Sequence, residues 1–267
     1  MTSPGGNHQF AVYAIRFAHR DASLRGEHFY RGDPCGDHPL PIDYFVWAAV
    51  SGDVVVLVDA GFTAETAARR GGRDYLRSPV DTLRSLGVDP GAVGHLVLTH
   101  LHYDHVGHIA DFPAAEVLLQ RAEYDFWTSP MAERGEYPHL TEPADLAYLG
   151  EQLRTGRLEL VEGERTVVPG ITLHHVGGHT PGLQVVRVAT PRGHVVLASD
   201  ATHFYENIEA DRPYSIVDHL PSMYAAFDTV RELADGDELV VPGHDPLVLD
   251  RFPCAGKGLE GLAVRVA

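Results

Sequence analysis

The stretch His100-Leu101-His102-Tyr103-Asp104-His105 places four side chains that can bind metal within six residues, directly after an apolar run at residues 96–98. Alternate residues of an extended strand point to one face, so its first, third and fifth residues would project together. His105 can join them if the chain turns, which Gly107 just beyond allows. Groups this crowded lose solvation unless a cation compensates, so the stretch predicts a metal site and not a solvated polar loop.

Three further runs, each short, apolar and β-branched, predict strands that end at a residue able to bind metal. They are residues 171–176 before His179, residues 195–198 before Asp200, and residues 239–241 before His244. Taken singly, these three residues would be interpreted as structural histidines and a turn residue. Together with the first stretch they form one set of candidate ligands: His100, His102, Asp104, His105, His179, Asp200 and His244.

A set of this size exceeds the roughly four ligands of one tetrahedral ion, so we expect two divalent ions. The expected division is His100, His102 and His179 for the first ion, and Asp104, His105 and His244 for the second. Asp200 has two carboxylate oxygens and could bridge the ions, which would then lie roughly 3.5 to 4 Å apart. Zinc is the default metal, although these ligands also accept iron, manganese or cobalt.

The composition indicates a globular protein with an acidic surface. The 267 residues carry a formal net charge of −16, so phosphate backbones and anionic lipids are poor partners. The two cysteines, Cys35 and Cys254, are expected to be free thiols. The first residues lack a signal-peptide pattern, and no apolar run approaches the length of a membrane span. We therefore expect a single cytoplasmic domain over residues 1–267 that binds neither nucleic acid nor membrane.

Hydrophobic periodicity favours sheets covered by helices, with functional residues at the strand ends. Further strands are predicted at residues 10–17, 44–50 and 54–58. A helix should begin after the capping residue Ser78, and residues 120–154 should be mostly helical. A second amphipathic helix at residues 221–233 is expected to bury one stripe, formed by Tyr224, Phe227 and Val230.

Two segments are candidates for the rim or lid of the site. They are the loop at residues 26–42, which is rich in Gly, Pro, Asp and His, and the helical segment at residues 120–154. Seven histidines outside the candidate set are expected at the surface or at the rim: His8, His19, His28, His38, His139, His194 and His219.

The pattern His-x-His-x-Asp-His, followed by Gly-His-Thr-Pro-Gly, Ser-Asp and Gly-His, resembles the metallo-β-lactamase superfamily over residues 59–244. The resemblance implies an α/β (α+β) fold, the αββα sandwich, in which two mixed sheets pack face to face with helices outside. It implies the same division of the seven ligands between two metal ions. Asp59 has a counterpart in that superfamily, and we favour a structural role for it.

Within the superfamily, residues 100–108, residues 179–184 and the pair Asp200-Ala201 look like those of N-acyl-homoserine lactonases. That branch implies a hydrolase of ester bonds, in which a hydroxide that bridges the metals opens a lactone ring. Such enzymes often carry a tyrosine three residues after the bridging aspartate. Here His203 stands at that position and Tyr205 follows two residues later, so both are candidate catalytic residues. Asp104 is the third, because it could pass a proton to the leaving group.

Other functions remain open at this point. A glutathione-thioester hydrolase of the glyoxalase II kind shares the ligands, but it adds a basic helical segment after the last histidine, where this chain has only residues 245–267. A non-catalytic protein with structural metals is the alternative from a different class. The expected partner is a small-molecule lactone or ester, and a homodimer is left open.

Overall fold

The computed structural model describes residues 8–267, in which thirteen strands form two sheets. The strands are β1 (Ala11–Arg20), β2 (Ile42–Ser51), β3 (Val54–Val58), β4 (Asp74–Tyr75), β5 (His95–Val97), β6 (Glu116–Gln120), β7 (Leu158–Val161), β8 (Arg165–Val168), β9 (Ile171–His175), β10 (Gln184–Thr190), β11 (Gly193–Ser199), β12 (Val240–Pro242) and β13 (Ala263–Arg265). The strands predicted at residues 10–17, 44–50, 54–58, 171–176, 195–198 and 239–241 are present within a few residues of their expected bounds. The extended strand expected over residues 100–104 is not formed, because β5 ends at Val97 and a short helix at Tyr103–Val106 already contains Asp104 and His105.

Nine α-helices and five 3₁₀ turns connect the strands of this described region. The helices are α1 (Arg25–His28), α2 (Ala64–Arg70), α3 (Pro79–Ser85), α4 (Tyr103–Val106), α5 (Arg121–Trp127), α6 (Pro143–Arg154), α7 (Tyr205–Glu209), α8 (Leu220–Leu233) and α9 (Leu247–Arg251). The 3₁₀ turns are Pro90–Ala92, Ile109–Asp111, Pro130–Glu133, Tyr137–His139 and Asp237–Leu239. None of the helices between residues 8 and 267 has both the length and the apolar character needed to cross a bilayer.

Both sheets are mixed. The first has the strand order β13-β1-β2-β3-β5-β6-β7, with β4 paired to β1, and its strands β3, β5, β6 and β7 run parallel. The second has the order β12-β11-β10-β9-β8, and only β11 and β12 are parallel within it. The predicted fold class is thus confirmed.

Strand β2 shows why the molecule is layered, because its residues Ile42–Ala49 are buried on both faces. Phe45 and Trp47 pack into the core between the two sheets, where Val186 and Leu197 of the second sheet meet them. Their neighbours on the opposite face join a core that is shared with helices α3, α5 and α6. A third core lies between the second sheet and α8. The order is therefore helices, sheet, sheet and helix.

The start of helix α3 agrees with the prediction, whereas the predicted buried stripe of helix α8 needs one correction. The Ser78 hydroxyl accepts a hydrogen bond from the Val80 amide at 3.2 Å and begins α3 as predicted. In α8, Phe227 and Val230 are buried, but Tyr224 is 38% exposed, so its predicted burial was wrong. At 100° per residue, Met223 lies in line with Phe227 and Val230, whereas Tyr224 falls at the edge of that stripe.

His28 is a second correction, because it is buried and not at the surface. His28 lies near the start of the loop at residues 26–42 and packs against the segment before it. Its Nε2 atom lies 2.7 Å from the Ser23 hydroxyl. Its Nδ1 atom lies 3.3 Å from the Tyr214 hydroxyl. Burial lowers the pKa of His28 to about 4. The ring is therefore a neutral anchor that ties this loop to the segment around Tyr214.

This burial predicts a stability loss in mild acid. The folded-state pKa of about 4 lies below the value of about 6.5 expected when unfolded, so the unfolded chain takes up the proton first. Stability should fall as the pH drops from about 6.5 towards 4, with His28 contributing up to about 3 kcal/mol of that loss. Urea unfolding at several pH values should show a shallower decline for His28→Gln than for the wild type. His38→Gln, which alters an exposed histidine of the same loop, should leave the slope unchanged; an unaltered slope in His28→Gln would contradict the assignment.

Candidate metal centre

Parallel strand pairs bring the candidate ligands to one edge of the sandwich. Val58 of β3 is paired with Val97 of β5, and Leu197 of β11 is paired with Val241 of β12. The carboxyl ends of parallel neighbours lie at the same edge, so the segments that leave these strands emerge side by side. Residues separated by up to 144 positions, such as His100 and His244, therefore converge on one site.

The backbone is strained where two of these strands end. Asp59 and Ser199 have φ angles of 61° and 45°, in the left-handed region that L-residues seldom adopt. Close approach adds a further constraint, because a Cβ atom at Gly243 would lie 2.7 Å from an Asp200 carboxylate oxygen. A glycine at this position lets the segment that carries His244 pass directly over Asp200.

The structure brings all seven candidate ligands together in two sets. One ligand atom from each of His100, His102, His179 and Asp200 lies within 4.8 Å of the others. The same holds for the second set, which consists of Asp104, His105 and His244, and for a third group in which His203 joins Asp200 and His244. Six of the seven residues are buried, and Asp104 is partly exposed.

Asp200 stands between the two sets. Its Oδ2 atom lies 3.2 Å from His179 Nε2 and 3.6 Å from His100 Nε2. Its Oδ1 atom lies 3.1 Å from His244 Nε2 and 3.5 Å from His105 Nε2. Two ligands bound at about 2 Å to one tetrahedral ion are about 3.3 Å apart, which matches these separations. Each carboxylate oxygen thus faces one histidine set.

The outward ring nitrogens are held by the protein, which aims the inner ones at the site. His179 Nδ1 donates to the Ile216 carbonyl at 2.9 Å, and His244 Nδ1 donates to the Asp43 carbonyl at 2.8 Å. The Nε2 atoms of His100 and His105 are buried and have no hydrogen-bond partner among residues 8–267. Buried polar atoms without partners are rare in native proteins, and borderline-soft divalent cations accept such nitrogens. The donor set therefore fits a pair of metal ions.

The electrostatics differ between the two sets. Burial, reinforced by neighbouring histidines, lowers the pKa values of His100 and His102 and keeps both rings neutral, as metal binding requires. Burial also opposes a charge on His105, but the carboxylates of Asp59 and Asp200 outweigh it and raise the pKa of His105 to about 10. The second set is thus a place where positive charge is stabilised.

Asp59 fixes His105 from behind. Its carboxylate accepts hydrogen bonds from His105 Nδ1 at 2.8 Å, from the Thr99 amide at 2.7 Å and from the Thr99 hydroxyl at 2.8 Å. These contacts orient the ring and hold the start of the metal-binding stretch against β3. These contacts are compatible with the structural role that the sequence suggested for Asp59. They also show that Asp59 orients His105, which is a candidate metal ligand.

Glu123 is a supporting residue that sequence reasoning missed. Its buried carboxylate accepts from the amides of Leu101 and Gly182, at 3.0 and 2.8 Å, and from the Trp127 indole at 2.7 Å. It therefore ties α5 to the two segments that carry His102 and His179. No spacing in the sequence connects these positions. The supporting role of Glu123 could therefore be recognised only from the contacts in the structure.

The two further candidate catalytic residues are separated by the fold. His203 Nε2 lies 2.9 Å from Asp200 Oδ2, and the His203 ring stacks on Tyr214 with centroids 3.3 Å apart and planes 5° apart. Tyr205 instead packs in the core between the sheets, with the Arg251 guanidinium 3.4 Å from its ring centroid. This placement removes Tyr205 from the residues that could contact a substrate. Tyr214, which the sequence did not single out, lies at the site in its stead.

A cavity of about 300 Å³ opens over the ligands. Besides ligand side chains and His203, its lining consists of Arg20, Ile42, Tyr44, Arg70, Arg73, Tyr103, His139, Leu140, Tyr214 and Ile216. The volume is at the lower end of the range of small-molecule sites, and the wall mixes apolar side chains with phenol and guanidinium donors. The site can therefore admit a small polar molecule next to the ligands.

Comparison with known proteins gives a consistent picture. The sequence model of the metallo-beta-lactamase superfamily matches residues 42–244. An N-acyl homoserine lactonase of a Bacillus species is 33% identical over 169 residues, which are 62% of this chain and 61% of that protein. The match thus spans less than two thirds of that relative's length. The N-acyl homoserine lactonase AttM of Rhizobium radiobacter is 29% identical over 234 residues, covering 79% of this chain and 84% of its own.

Solved structures agree in fold. The crystal structure of a quorum-quenching N-acyl homoserine lactone lactonase superposes with a TM-score of 0.72, at 21% sequence identity, and covers 90% of this chain and 94% of its own. At that identity the likeness concerns the fold alone.

The contact between Asp59 and His105 generates a prediction about metal affinity. Asp59→Asn should weaken the second ion about 10- to 100-fold, because the residue that orients and polarises His105 loses its charge. The first ion should be held almost as before. Competition with a chromogenic chelator would measure both affinities, with Asp53→Asn, in the exposed turn between β2 and β3, as the control. Equal weakening of both ions would show that Asp59 only supports the fold.

Proposed function

Because the chain belongs to the metallo-beta-lactamase superfamily, we propose that it is a metal-dependent hydrolase that opens lactones of the N-acyl homoserine lactone type. The observation that carries this proposal is the Asp200 carboxylate, whose two oxygens face separate histidine sets beneath a small cavity. The names of the relatives support the lactone as substrate class. The cavity supports a small molecule as the reacting partner.

We assign His100, His102 and His179 to one ion, Asp104, His105 and His244 to the other, and Asp200 to both; the groups that these residues form and the distances from Asp200 to His179 and His244 support the assignment. When bound, two divalent ions would polarise the ester carbonyl and activate a water molecule. Zinc suits a set of histidine nitrogens and carboxylate oxygens, and iron, manganese and cobalt accept the same donors.

His203 is the residue that we assign to the substrate carbonyl. It borders the cavity and lies next to Asp200, so a carbonyl oxygen above the ligands would be within reach of its ring. The parallel stack on Tyr214 holds the plane of that ring. A ring nitrogen that donates a hydrogen bond to the substrate carbonyl would stabilise the oxyanion that develops when the carbonyl is attacked. Here an imidazole would take the part that the resemblance gives to a tyrosine.

Asp104 is the residue that we assign to proton transfer. Its Oδ2 atom lies 3.8 Å from the Nε2 atoms of both His105 and His244, and the side chain lines the cavity. A carboxylate between ligands and substrate can accept the proton of the attacking water and deliver it to the leaving alkoxide. No serine or cysteine nucleophile is required.

Two segments would enclose the substrate. Ile42 borders the cavity at the end of residues 26–42, and His139 and Leu140 border it from residues 120–154. Phe126 and Trp127 of α5 line a smaller recess beside His102 and His179. We propose that both segments form the rim of the site within a single domain.

A direct test compares ester classes on the purified, metal-loaded protein. A pH-indicator assay should show rapid opening of N-hexanoyl homoserine lactone and little cleavage of a glutathione thioester. Asp200→Ala should lose metal, and kcat/KM should fall at least about 100-fold, because both ions lose a shared ligand. Preference for the thioester would favour the glyoxalase II-like alternative. A wild type that holds metal but cleaves neither ester would favour a non-catalytic metal protein.

The same assay separates His203 from the ligands. His203→Phe keeps an aromatic ring to stack on Tyr214, so its metal content should match the wild type while kcat falls about 100-fold. His219→Phe, at an exposed position before α8, provides the matched control. An unchanged kcat in His203→Phe would remove this residue from the reaction.

A further inference from the structure

Three arginines line the cavity above the ligands, and they differ in their partners. Arg20 forms an ion pair with Glu27 at 2.6 Å, and Arg70 forms one with Glu142 at 2.7 Å. Within residues 8–267, no carboxylate oxygen lies within 4.0 Å of the Arg73 guanidinium. Of the three, Arg73 alone therefore forms no ion pair with a carboxylate of the described chain, and the Asp104 carboxylate acts on its charge only from beyond 4.0 Å.

The Arg73 guanidinium is held in place by two hydrogen bonds. Its Nε atom donates to the Tyr103 hydroxyl at 2.7 Å, and its Nη1 atom donates to the Gly71 carbonyl at 2.8 Å. The Nη2 atom makes no hydrogen bond to the rest of the described region. Two anchored nitrogens and one free one make a preorganised donor, because little side-chain entropy remains to be lost when a ligand binds.

Tyr103 connects this donor to the reaction site. It lies between His102 and Asp104 in the metal-binding stretch, and its ring is 5.2 Å from the Arg73 guanidinium carbon. Asp104, Tyr103 and Arg73 all line the same cavity. A group held by Arg73 is thus held beside the ligands and not at a remote surface.

The positive charge of Arg73 contrasts with the negative net charge of the chain. The chain has 37 acidic and 21 basic residues, yet the half-buried Arg73 faces the cavity without an ion pair to any carboxylate of residues 8–267. Desolvating a guanidinium is costly unless an anion or several acceptors compensate. A planar guanidinium with a free edge also matches the geometry of carboxylate and phosphate oxygens. Both arguments favour an anionic ligand.

We propose that Arg73 binds an anionic oxygen group of the substrate, so that the preferred lactone or ester carries a carboxylate or a phosphate. The inference rests on the proposed ester hydrolysis and narrows its substrate class. N-Acyl homoserine lactones with plain acyl chains are neutral, so this specificity would set the chain apart from what the names of its relatives describe.

Matched pairs of substrates test the proposal on the metal-loaded enzyme. One pair is N-hexanoyl homoserine lactone and its analogue with a terminal carboxylate, N-(5-carboxypentanoyl) homoserine lactone. The other is γ-valerolactone and the lactone with a carboxylate in place of its methyl group. A terminal phosphonate on the acyl chain distinguishes a phosphate site from a carboxylate site. We expect kcat/KM at least about tenfold higher for an anionic member, with a KM that rises with salt.

Variants assign the preference to Arg73. Arg73→Met should raise KM for the anionic substrate at least about tenfold and change the neutral substrate less than about threefold, and Arg73→Lys should restore part of the preference. Arg77→Met is the matched control, because Arg77 is also half-buried and lacks a carboxylate partner in the described region but lies outside the cavity.

The possible results distinguish a substrate-binding role of Arg73 from a structural one. Equal losses on both members of a pair would reduce Arg73 to a support for Tyr103, and a wild type without any preference for an anionic member would overturn the proposal while leaving lactone hydrolysis standing. A wild type inactive on every lactone would remove the proposed function and this inference together. If Arg73→Met fails to fold by circular dichroism, the preference of the wild type and its salt dependence still decide.

Discussion

The structure depends on one constraint, which is that the buried Asp200 carboxylate lies between two groups of histidines. Bound cations would satisfy the carboxylate and the histidine nitrogens together. Buried imidazole nitrogens without hydrogen-bond partners are costly, and a cluster of histidines around an aspartate competes for the same protons. Metal ions relieve both difficulties at once. The strained backbone at Asp59 and Ser199 and the close approach of Gly243 have a physical reason only if the ligands must meet at this point.

The candidate ligands are held in place by residues that are not themselves candidate ligands. Asp59 holds His105, the Asp43 carbonyl holds His244, and Glu123 joins the segments of His102 and His179. Such outer contacts fix which ring nitrogen faces inward and keep the ligand geometry rigid. The cavity wall adds a guanidinium whose Nε atom is anchored on Tyr103 and an imidazole whose plane is fixed by its stack on Tyr214.

The ligand set could be predicted from the sequence because its members follow apolar runs that form buried strands. The alternation expected for residues 100–104 was wrong, because α4 begins at Tyr103. His100, Asp200 and His244 each follow an apolar run, and parallel pairing of those runs brings them to one edge. Tyr205 and Tyr214 could not be told apart in this way. The start of α7 turns Tyr205 into the core between the sheets, while Tyr214 returns to the cavity from a loop. Glu123 and His28 depend likewise on contacts between distant segments.

The number of ions and the distance between them test the central claim most directly. Mass spectrometry of the native protein would give the number of ions per chain, and X-ray absorption spectroscopy of the metal-loaded protein would give their separation. The account predicts two ions per chain, roughly 3.5 to 4 Å apart, each with histidine nitrogens in its coordination shell. A single ion per chain, or two ions too far apart to share the Asp200 carboxylate, would contradict it.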